Sequence, residues 1–401
     1  MLIGIYFQIL LEIKQKSFHK RRSYNMLKFT IKPFDILFFG SGKALNRGNV
    51  VSSIFPPHPT TFAGAICSKI MSYKNINITS ILKAVYGPFI QKEGKIYVPK
   101  PQNIYKERKK KDIEKVYIVE PSDENKLKLF KSENTNKSNV EKIPFYKGKE
   151  EIEPFTAFIS LEGLKKWLND KEIAENDILL YKDIFENEPR IGISINPSLY
   201  SIGGKEDALF RVEFLRLKEN IDFVFWVEFD CVNNELHRAS LNNEDEILKF
   251  FNSDPRVLKL GGEMKNVSYK VEKDDFKSLI IKELGVEKNL SIKRDERIQV
   301  LFCSYGVFDF ANDRLPKING FEIYSACFGN YEIIGINSKF LGRKTKRAFS
   351  PGTVLWLKSQ NDISINNPNF LVKNQNGYYF NDPKGKQEFI GTNLVLIKKE
   401  G

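Results

Sequence analysis

Histidine and cysteine are scarce in this chain of 401 residues, which contains three histidines and four cysteines. The cysteines never form C-x-x-C, and neither H-E-x-x-H nor a comparable ligand set occurs. These absences argue against the common zinc motifs and against a disulfide framework. We therefore expect no metal, no cofactor, and free thiols in a reducing cytosol. The cysteines are Cys67, Cys231, Cys303 and Cys327.

A long apolar run is also missing. The most apolar segment near the start, residues 2–13, contains Gln8 and Glu12 and is followed by a basic run. A signal peptide places positive charge before its apolar region, and a membrane span needs about 20 apolar residues. The segment fails both criteria, so we interpret it as neither a signal peptide nor a membrane span. We expect a cytoplasmic protein with no membrane partner.

Positive charge is in excess. Lysine and arginine total 63 against 50 acidic residues, so the formal net charge is +13. Such an excess favours a polyanionic partner. However, 49 of these cations are lysines and 14 are arginines, and a joint Lys, Asn and Ile bias is also what an AT-rich genome produces. The arginines are the more informative cations, because their planar fork matches phosphates and bases.

The most distinctive stretch is PFDILFFGSGKALNRGNVVSSIFPPHPTTFAGAI, residues 33–66. It predicts a strand over residues 34–39, a glycine loop, and a helix capped by Thr60 or Thr61. Exposed N–H groups in such a loop suit an anion such as an RNA phosphate. The alternative is a tight connection, because glycines mark turns more often than ligands, and the loop matches neither common phosphate fingerprint. The loop residues that we predict to contact RNA are Lys43, Asn46 and Arg47.

Hydrophobic periodicity predicts further elements. We expect a strand over residues 95–99, a strand that becomes a helix at Ser160, and a buried central strand over residues 223–229. Residues 81–89, which contain Gly-Pro, are interpreted as a helix end or loop. The first helix is predicted to bury Phe62, Ala65, Ile66, Lys69 and Ile70.

Two segments in the middle of the chain carry further candidates. RIGISIN and residues 209–217 predict a hairpin in which Arg190 contacts a phosphate or is simply a surface strand residue. In LKLGGEMKNV the paired glycines let a backbone or RNA approach beside Lys265. Glu263 has no carboxylate or histidine near it in sequence, so we expect a salt bridge or a cap and no catalysis.

A second basic element is GINSKFLGRKTKRAFSPGTVLWL, residues 335–357. Five cations cluster around Gly342 between two predicted strands, which favours a phosphate contact over a freely solvated charge run. These predicted RNA-binding residues are Lys339, Arg343, Lys344, Lys346 and Arg347.

Four segments resemble a known family. PFDILFFGSGKALNRGN followed by SIFPPHPTTFAGAI is similar to the opening of the Cmr subunit three family, which are RAMP-superfamily proteins of type III-B CRISPR-Cas effector complexes. LGGE and the basic glycine loop before RAFSPGTV resemble later segments of that family, whereas His58 stands where the family more often has proline. The matching opening residues are Pro33, Asp35, Phe38, Phe39, Gly42, Phe55, Pro56, Pro57, Pro59, Thr60, Thr61, Gly64 and Ala65.

The resemblance implies an α+β fold of two ferredoxin-like, RRM-related RAMP domains with insertions. The resemblance begins just after Met26, so residues 1–25 are either an upstream start or an N-terminal extension outside the core. On that basis residues 26–185 form the N-terminal domain, with a flexible insertion at about 105–151. Residues 186–401 form the C-terminal domain, with a basic glycine loop at 335–352.

The resemblance also implies a function in antiviral defence. We expect a non-catalytic RNA-binding subunit that holds the 5′ handle of the CRISPR RNA and docks both the large polymerase/cyclase-like signature subunit and a backbone RAMP subunit. Two alternatives stay open. A metal-independent endoribonuclease that processes repeat RNA would need a general acid and base, and His58 is the only histidine within a motif. A pure protein-interaction subunit would hold no RNA.

Overall fold

The computed structural model describes residues 26–40, 50–74, 81–108, 112–122, 142–193, 195–196, 201–202, 209–286, 289–307, 318, 320–329, 331–338, 342–366, 373–374, 377–378 and 390–400. In these ranges the protein is mixed α and β, with mostly strands and few helices. No helix there is long and apolar enough to cross a membrane. The helices are α1 (Pro59–Lys74), α2 (Leu161–Leu168), α3 (Asn234–Arg238), α4 (Glu244–Asn252) and α5 (Phe276–Leu284).

The strands follow one another along the whole described chain, and several of them are very short. They are β1 (Met26–Pro33), β2 (Val50–Ser52), β3 (Leu82–Lys92), β4 (Lys95–Pro99), β5 (Ile104–Glu107), β6 (Val116–Ile118), β7 (Glu120–Ser122), β8 (Ile143–Phe145), β9 (Ile152–Pro154), β10 (Ala157–Ser160), β11 (Ile178–Leu180), β12 (Phe185–Ile193), β13 (Ile195–Asn196), β14 (Ser201–Ile202), β15 (Leu209–Leu217), β16 (Ile221–Phe229), β17 (Val257–Leu260), β18 (Lys265–Lys273), β19 (Asn289–Ile292), β20 (Arg297–Phe302), β21 (Gly306–Val307), β22 (Phe321–Cys327), β23 (Tyr331–Ser338), β24 (Gly342–Phe349), β25 (Val354–Ser359), β26 (Ile363–Asn366), β27 (Lys373–Asn374), β28 (Gly377–Tyr378) and β29 (Val395–Lys399).

An eight-stranded sheet organises the molecule. Its order is β11-β10-β4-β3-β16-β1-β18-β17, and β16 lies between β3 and β1 near its centre. Side chains alternate along a strand, so the two faces of β16 enter two different cores. Phe223 and Phe225 face the core that contains α1 and α4. Val224 and Trp226 face the core that contains α2 and α5.

A four-stranded sheet, in the order β22-β25-β20-β29, packs on the second of these cores. Leu301 and Trp356 face α2 and α5, whereas Val300 and Leu357 face a separate core on the other side of this sheet. The segment after β4 ties the two sheets together, because the Gln102 N–H donates to the Gly352 carbonyl at 2.8 Å. Helices α2 and α5 are therefore enclosed between the two sheets.

Two three-stranded sheets carry the candidate site. One has the order β12-β15-β2 and the other β21-β24-β23. In the first, β12 and β15 form an antiparallel hairpin and β2 joins β15 in parallel. In the second, β24 is the middle strand between β21 and β23. Both sheets therefore present a hairpin next to a shorter strand.

Several predictions are confirmed. The strand over residues 95–99 is β4, and residues 223–229 form the buried β16. Ser160 ends β10 and caps α2, where its side chain accepts a hydrogen bond from the Gly163 N–H at 3.0 Å. Helix α1 buries the predicted face of Phe62, Ala65, Ile66, Lys69 and Ile70.

Other predictions are wrong about the position or type of individual elements. Residues 34–39 are not a strand; the strand β1 precedes them. Helix α1 starts at Pro59, so the cap precedes Thr60 and Thr61, and proline suits the first helical position because it lacks an N–H. Residues 81–89 belong largely to β3, where Gly87 lies at the register shift of the β3–β16 ladder. A bulge is the place where an inner strand tolerates proline.

The domain boundaries stay a prediction, as does the number of ferredoxin-like units. The eight-stranded sheet takes strands from both sides of the boundary predicted at residues 185/186, because β16, β17 and β18 join strands from the first half of the chain. The predicted insertion at 105–151 contains the strands β6, β7 and β8, with residues 109–111 and 123–141 lying outside the described ranges.

Candidate nucleic-acid interface

The first predicted RNA-binding loop has its base in the main core. The Ile54 N–H donates to the Phe39 carbonyl at 2.9 Å, and the Phe39 N–H donates to Ser53 Oγ at 3.2 Å. The Phe39 ring packs on Phe62 and Phe223, with centroids 6.2 and 6.0 Å away. The loop is therefore anchored where it leaves and rejoins the core. Its predicted RNA contacts lie outside the described residues and stay predictions: Lys43, Asn46 and Arg47.

Two other predicted RNA contacts meet over one aromatic ring. Phe214 on β15 lies 5.7 Å from the guanidinium carbon of Arg190 on β12 and 5.2 Å from the Nζ of Lys265 on β18. We call these three residues the Phe214 cluster. The ring is only 3% exposed, so the two cations cover it. The fold thus brings together two side chains that are far apart in sequence.

Arg190 in the Phe214 cluster is already paired with carboxylates. Its guanidinium lies 2.7 Å from Glu188 and 3.7 Å from Asp35. Arg216 on β15 contacts the same two carboxylates and lies 2.9 Å from Asp35. Hydrogen bonds from Arg190 and Arg216 hold the pKa of Glu188 below its ordinary value. This exposed patch is a network of balanced charge, which weakens the attraction of Arg190 for a phosphate.

The turn between β17 and β18 approaches the chain's own backbone. Gly261 has φ +76°, and a Cβ there would lie 2.4 Å from the Phe38 carbonyl oxygen. The Gly262 N–H donates to the same oxygen at 2.7 Å. The paired glycines therefore allow contact between two chain segments. Glu263 lies 3.3 Å from Lys265, as expected for a salt bridge.

The second predicted RNA-binding segment is a hairpin over most of its length. Residues 335–338 and 342–349 lie in β23 and β24, so the predicted loop over 335–352 is wrong for these residues. The basic residues of β24 come in adjacent pairs, which is compatible with a strand when both faces of a hairpin reach solvent. Lys339 lies outside the described residues. Arg343 and Lys344 pair with Asn337 and Ile336 in the ladder, and their side chains lie outside what is described.

The hairpin has two unlike faces. Ile334 and Ala348 are buried against Tyr305 and Val307, which fixes the inner face near its base. Lys346 pairs with Ile334 and is half-buried. Directly opposite residues share a face, so the register puts four exposed side chains on the other side. This outer face carries the exposed residues Tyr331, Ile333, Thr345 and Arg347, together with the buried Phe349 at its base.

Three aromatic residues at the base of this hairpin were missed by sequence reasoning. Phe328, Tyr331 and Phe349 form a triangle with ring centroids 5.4 to 5.6 Å apart. The signal was present as aromatic residues just before β23 and at the end of β24. Their contact depends on the pairing of Tyr331 with Phe349, which the sequence does not display.

A residue at the start of the β23–β24 hairpin interacts electrostatically with a residue beside the start of the β12–β15 hairpin. Tyr181 packs on Phe185 at the start of β12, with centroids 5.8 Å apart. Burial, and to a smaller extent the charge of Glu332 on β23, raises the pKa of Tyr181. Glu332 therefore acts on Tyr181, which packs against the start of β12.

The histidine of the nuclease alternative is buried. His58 stacks on Tyr305, whose hydroxyl donates to the Pro56 carbonyl at 2.6 Å. Burial lowers the pKa of His58 to about 4. A general acid or base works best with a pKa near the operating pH and must reach its substrate. His58 meets neither condition at neutral pH. No group of three or more metal-ligating side chains occurs among the described residues.

Comparison with known proteins decides the family. Residues 29–400 match the family described as CRISPR-associated protein (Cas_Cmr3). The chain belongs to the Cas_Cmr3 family. This membership covers nearly the whole described chain and confirms the resemblance found in the opening strings. No curated protein shows significant similarity to this Cas_Cmr3 chain.

Solved structures provide weaker likenesses. A chain in the cryo-EM structure of the Type III-B Cmr-beta bound to cognate target RNA is 17% identical, with TM-score 0.45, covering 82% of this chain and 86% of that chain. The same assembly with AMPPnP also bound gives 16% identity, TM-score 0.44 and the same coverage. A CRISPR protein from Archaeoglobus fulgidus is 10% identical, with TM-score 0.27, covering 94% of this chain and all of that chain. At these values no contact or residue role transfers to the Cas_Cmr3 chain.

Proposed function

We propose that this Cas_Cmr3 chain is a non-catalytic RNA-binding subunit of a type III-B CRISPR (Cmr) complex in the cytoplasm. It holds the 5′ handle of the CRISPR RNA and docks the large polymerase/cyclase-like signature subunit next to a backbone RAMP subunit. Its domains are two ferredoxin-like RAMP units with insertions. The observation that carries this proposal is the match to the Cas_Cmr3 family over residues 29–400.

The charge distribution supports RNA as the partner. The chain has a net charge of +13, and cations that contact phosphates supply most of the affinity of a protein for nucleic acid. Arg347 is exposed on the outer face of the β23–β24 hairpin, and its side chain has no ion-pair partner among the described residues. An exposed guanidinium in that state is available to a phosphate, and its fork geometry suits one.

The state of His58 supports a non-catalytic role. Metal-free RNA cleavage needs an acid and a base near the scissile 2′-hydroxyl. His58 is buried under Tyr305 with a depressed pKa, which disfavours the one nuclease candidate found in the sequence. Without a catalytic histidine, we expect the protein to bind the RNA through its sugar-phosphate backbone and not to cleave it.

Retention of RNA tests the proposal. The tagged chain is expressed with the other subunits of its complex, and the RNA that copurifies is sequenced. We expect short RNAs that share one 5′ end. The double variant Lys346→Ala/Arg347→Ala should retain several-fold less of this RNA, because it removes the exposed Arg347 together with the neighbouring predicted contact Lys346.

The matched control is Lys282→Ala/Arg294→Ala, which removes one lysine and one arginine whose side chains are 83% and 76% exposed on other elements. It should retain RNA as the wild type does. Wild-type protein that carries no RNA, or RNA with scattered 5′ ends, contradicts the proposal and favours a protein-interaction subunit.

A further inference from the structure

An exposed aromatic patch lies at the base of the β23–β24 hairpin. Phe328 and Tyr331 are 40% and 41% exposed, and their ring centroids are 5.5 Å apart. Both rings pack on Phe349, which is 1% exposed. Because β24 is the middle strand of its sheet, the backbone of Phe349 is flanked by Gly306 on β21 and by Tyr331 on β23. The two exposed rings therefore rest on a rigid base.

The position of these rings is unusual for surface residues. Three of the nine large hydrophobic side chains that are exposed in the described part of the chain fall within six consecutive positions, namely Phe328, Tyr331 and Ile333. Single exposed hydrophobic residues need no explanation, but a cluster on one face marks a binding surface. The inner face of the same hairpin is packed, because Ile334 is buried there. The exposure of Phe328, Tyr331 and Ile333 is therefore not caused by a poorly packed hairpin.

A cation stands next to the rings. Ile333 pairs with Arg347, and this pair follows the Tyr331–Phe349 pair on the same face of the hairpin. Two residues along a strand span about 7 Å. Exposed aromatic rings with an arginine at this spacing are the combination by which proteins hold single-stranded RNA, since the bases stack on rings and the cation takes the phosphate.

The Phe214 cluster cannot do this. Its ring is 3% exposed and covered by Arg190 and Lys265, so a base has no access to it. Among the described residues, the two basic hairpins thus differ in kind. The β12–β15 hairpin offers paired charges, whereas the β23–β24 hairpin offers partly exposed rings beside an arginine.

We propose that Phe328 and Tyr331 form a stacking platform for an unpaired base of the bound RNA, and that Arg347 contacts a phosphate adjoining that base. This inference rests on the RNA-binding function proposed above. It adds a contact to a base, whereas the argument from charge concerns only phosphates. A stacked base needs an aromatic ring, whereas a protein partner docked on an apolar patch needs only hydrophobic surface. That difference determines the test.

The test uses the complete chain and a single-stranded RNA corresponding to the copurified RNA, with 2-aminopurine placed at successive positions. We expect quenching of fluorescence at one position on binding, and loss of that quenching in Phe328→Leu/Tyr331→Leu. The affinity should fall about tenfold at constant salt, in the range found for removal of one stacked base. Tyr331→Phe keeps the ring and should retain both the affinity and the quenching. Tyr73→Leu is the matched control, because Tyr73 is a 55% exposed aromatic residue on α1.

The outcomes separate this inference from the proposed function. If the wild type binds RNA and the double leucine variant binds and quenches equally well, the platform is wrong and the proposed function stands. The same conclusion follows if the double leucine variant keeps RNA but loses another subunit of the complex, which would make the patch a protein interface. If the wild type binds no RNA, both are wrong.

Discussion

The imidazole of His58 lies flat on the ring of Tyr305, with centroids 4.3 Å apart and ring planes 9° apart. His58 directly precedes α1, and Tyr305 lies between β20 and β21, so the stack joins segments almost 250 residues apart in sequence. The Tyr305 hydroxyl adds a second contact between these two segments by donating a hydrogen bond to the Pro56 carbonyl. A motif residue that sequence alone marks as a possible catalyst is thus part of the core.

The stability of the protein should depend on His58 in acid. Burial lowers the pKa of His58 from 6.5 to about 4 in the folded protein. Below pH 6.5 the unfolded chain takes up a proton that the folded chain does not bind, so stability falls as the pH drops from 6.5 to 4. The loss is at most about 3 kcal/mol. Chemical denaturation at several pH values should show a flatter profile for His58→Phe than for the wild type.

RNA cleavage should not depend on His58. His58→Phe keeps an aromatic ring against Tyr305 and removes every proton-transfer function of the side chain. We expect the purified chain and this variant to leave repeat RNA equally intact over the course of an assay. Cleavage by the wild type that His58→Phe abolishes, with folding unchanged by circular dichroism, would restore the endoribonuclease alternative.

Gly261 should tolerate substitution less well than a glycine with similar backbone geometry in open space. Gly261 and Gly285 have φ of +76° and +69°, but a Cβ at Gly285 meets nothing within 4 Å. Gly285→Ala should cost about 1 kcal/mol of backbone strain. Gly261→Ala adds a contact at 2.4 Å with the Phe38 carbonyl and should cost at least about 2 kcal/mol. Equal losses of unfolding free energy would show that the Phe38 contact relaxes freely.

Arg190 and Arg347 should differ in their effect on RNA. The Arg190 guanidinium is held by Glu188 and Asp35, whereas Arg347 has no ion-pair partner in the described ranges. Arg347→Ala should lower the slope of log affinity against log salt by about 0.7, the value for one phosphate contact on a single strand. Arg190→Ala should change it by less than half of that. Equal slopes for both variants would mean that the carboxylates release Arg190 when RNA binds.

Sequence alone determined those elements that depend only on neighbouring residues, such as an apolar strand or a helix cap. The apolar run FVFWVEF is buried on both faces in β16, and Ser160 ends a strand and caps a helix because its side chain can accept from the Gly163 N–H. The opening strings also determined the family. The bias toward basic residues was visible as well, because charge is a property of composition.

Tertiary structure decided what depends on pairing between distant segments. Residues 82–92 form an inner strand despite Gly87-Pro88, because the β3–β16 ladder shifts register there and no hydrogen bond is demanded of the proline. Strand β1 precedes the predicted strand, because it pairs with residues some 200 or more positions away in β16 and β18. The carboxylates around Arg190 and the rings of Phe328 and Tyr331 follow from such register, which periodicity cannot reveal.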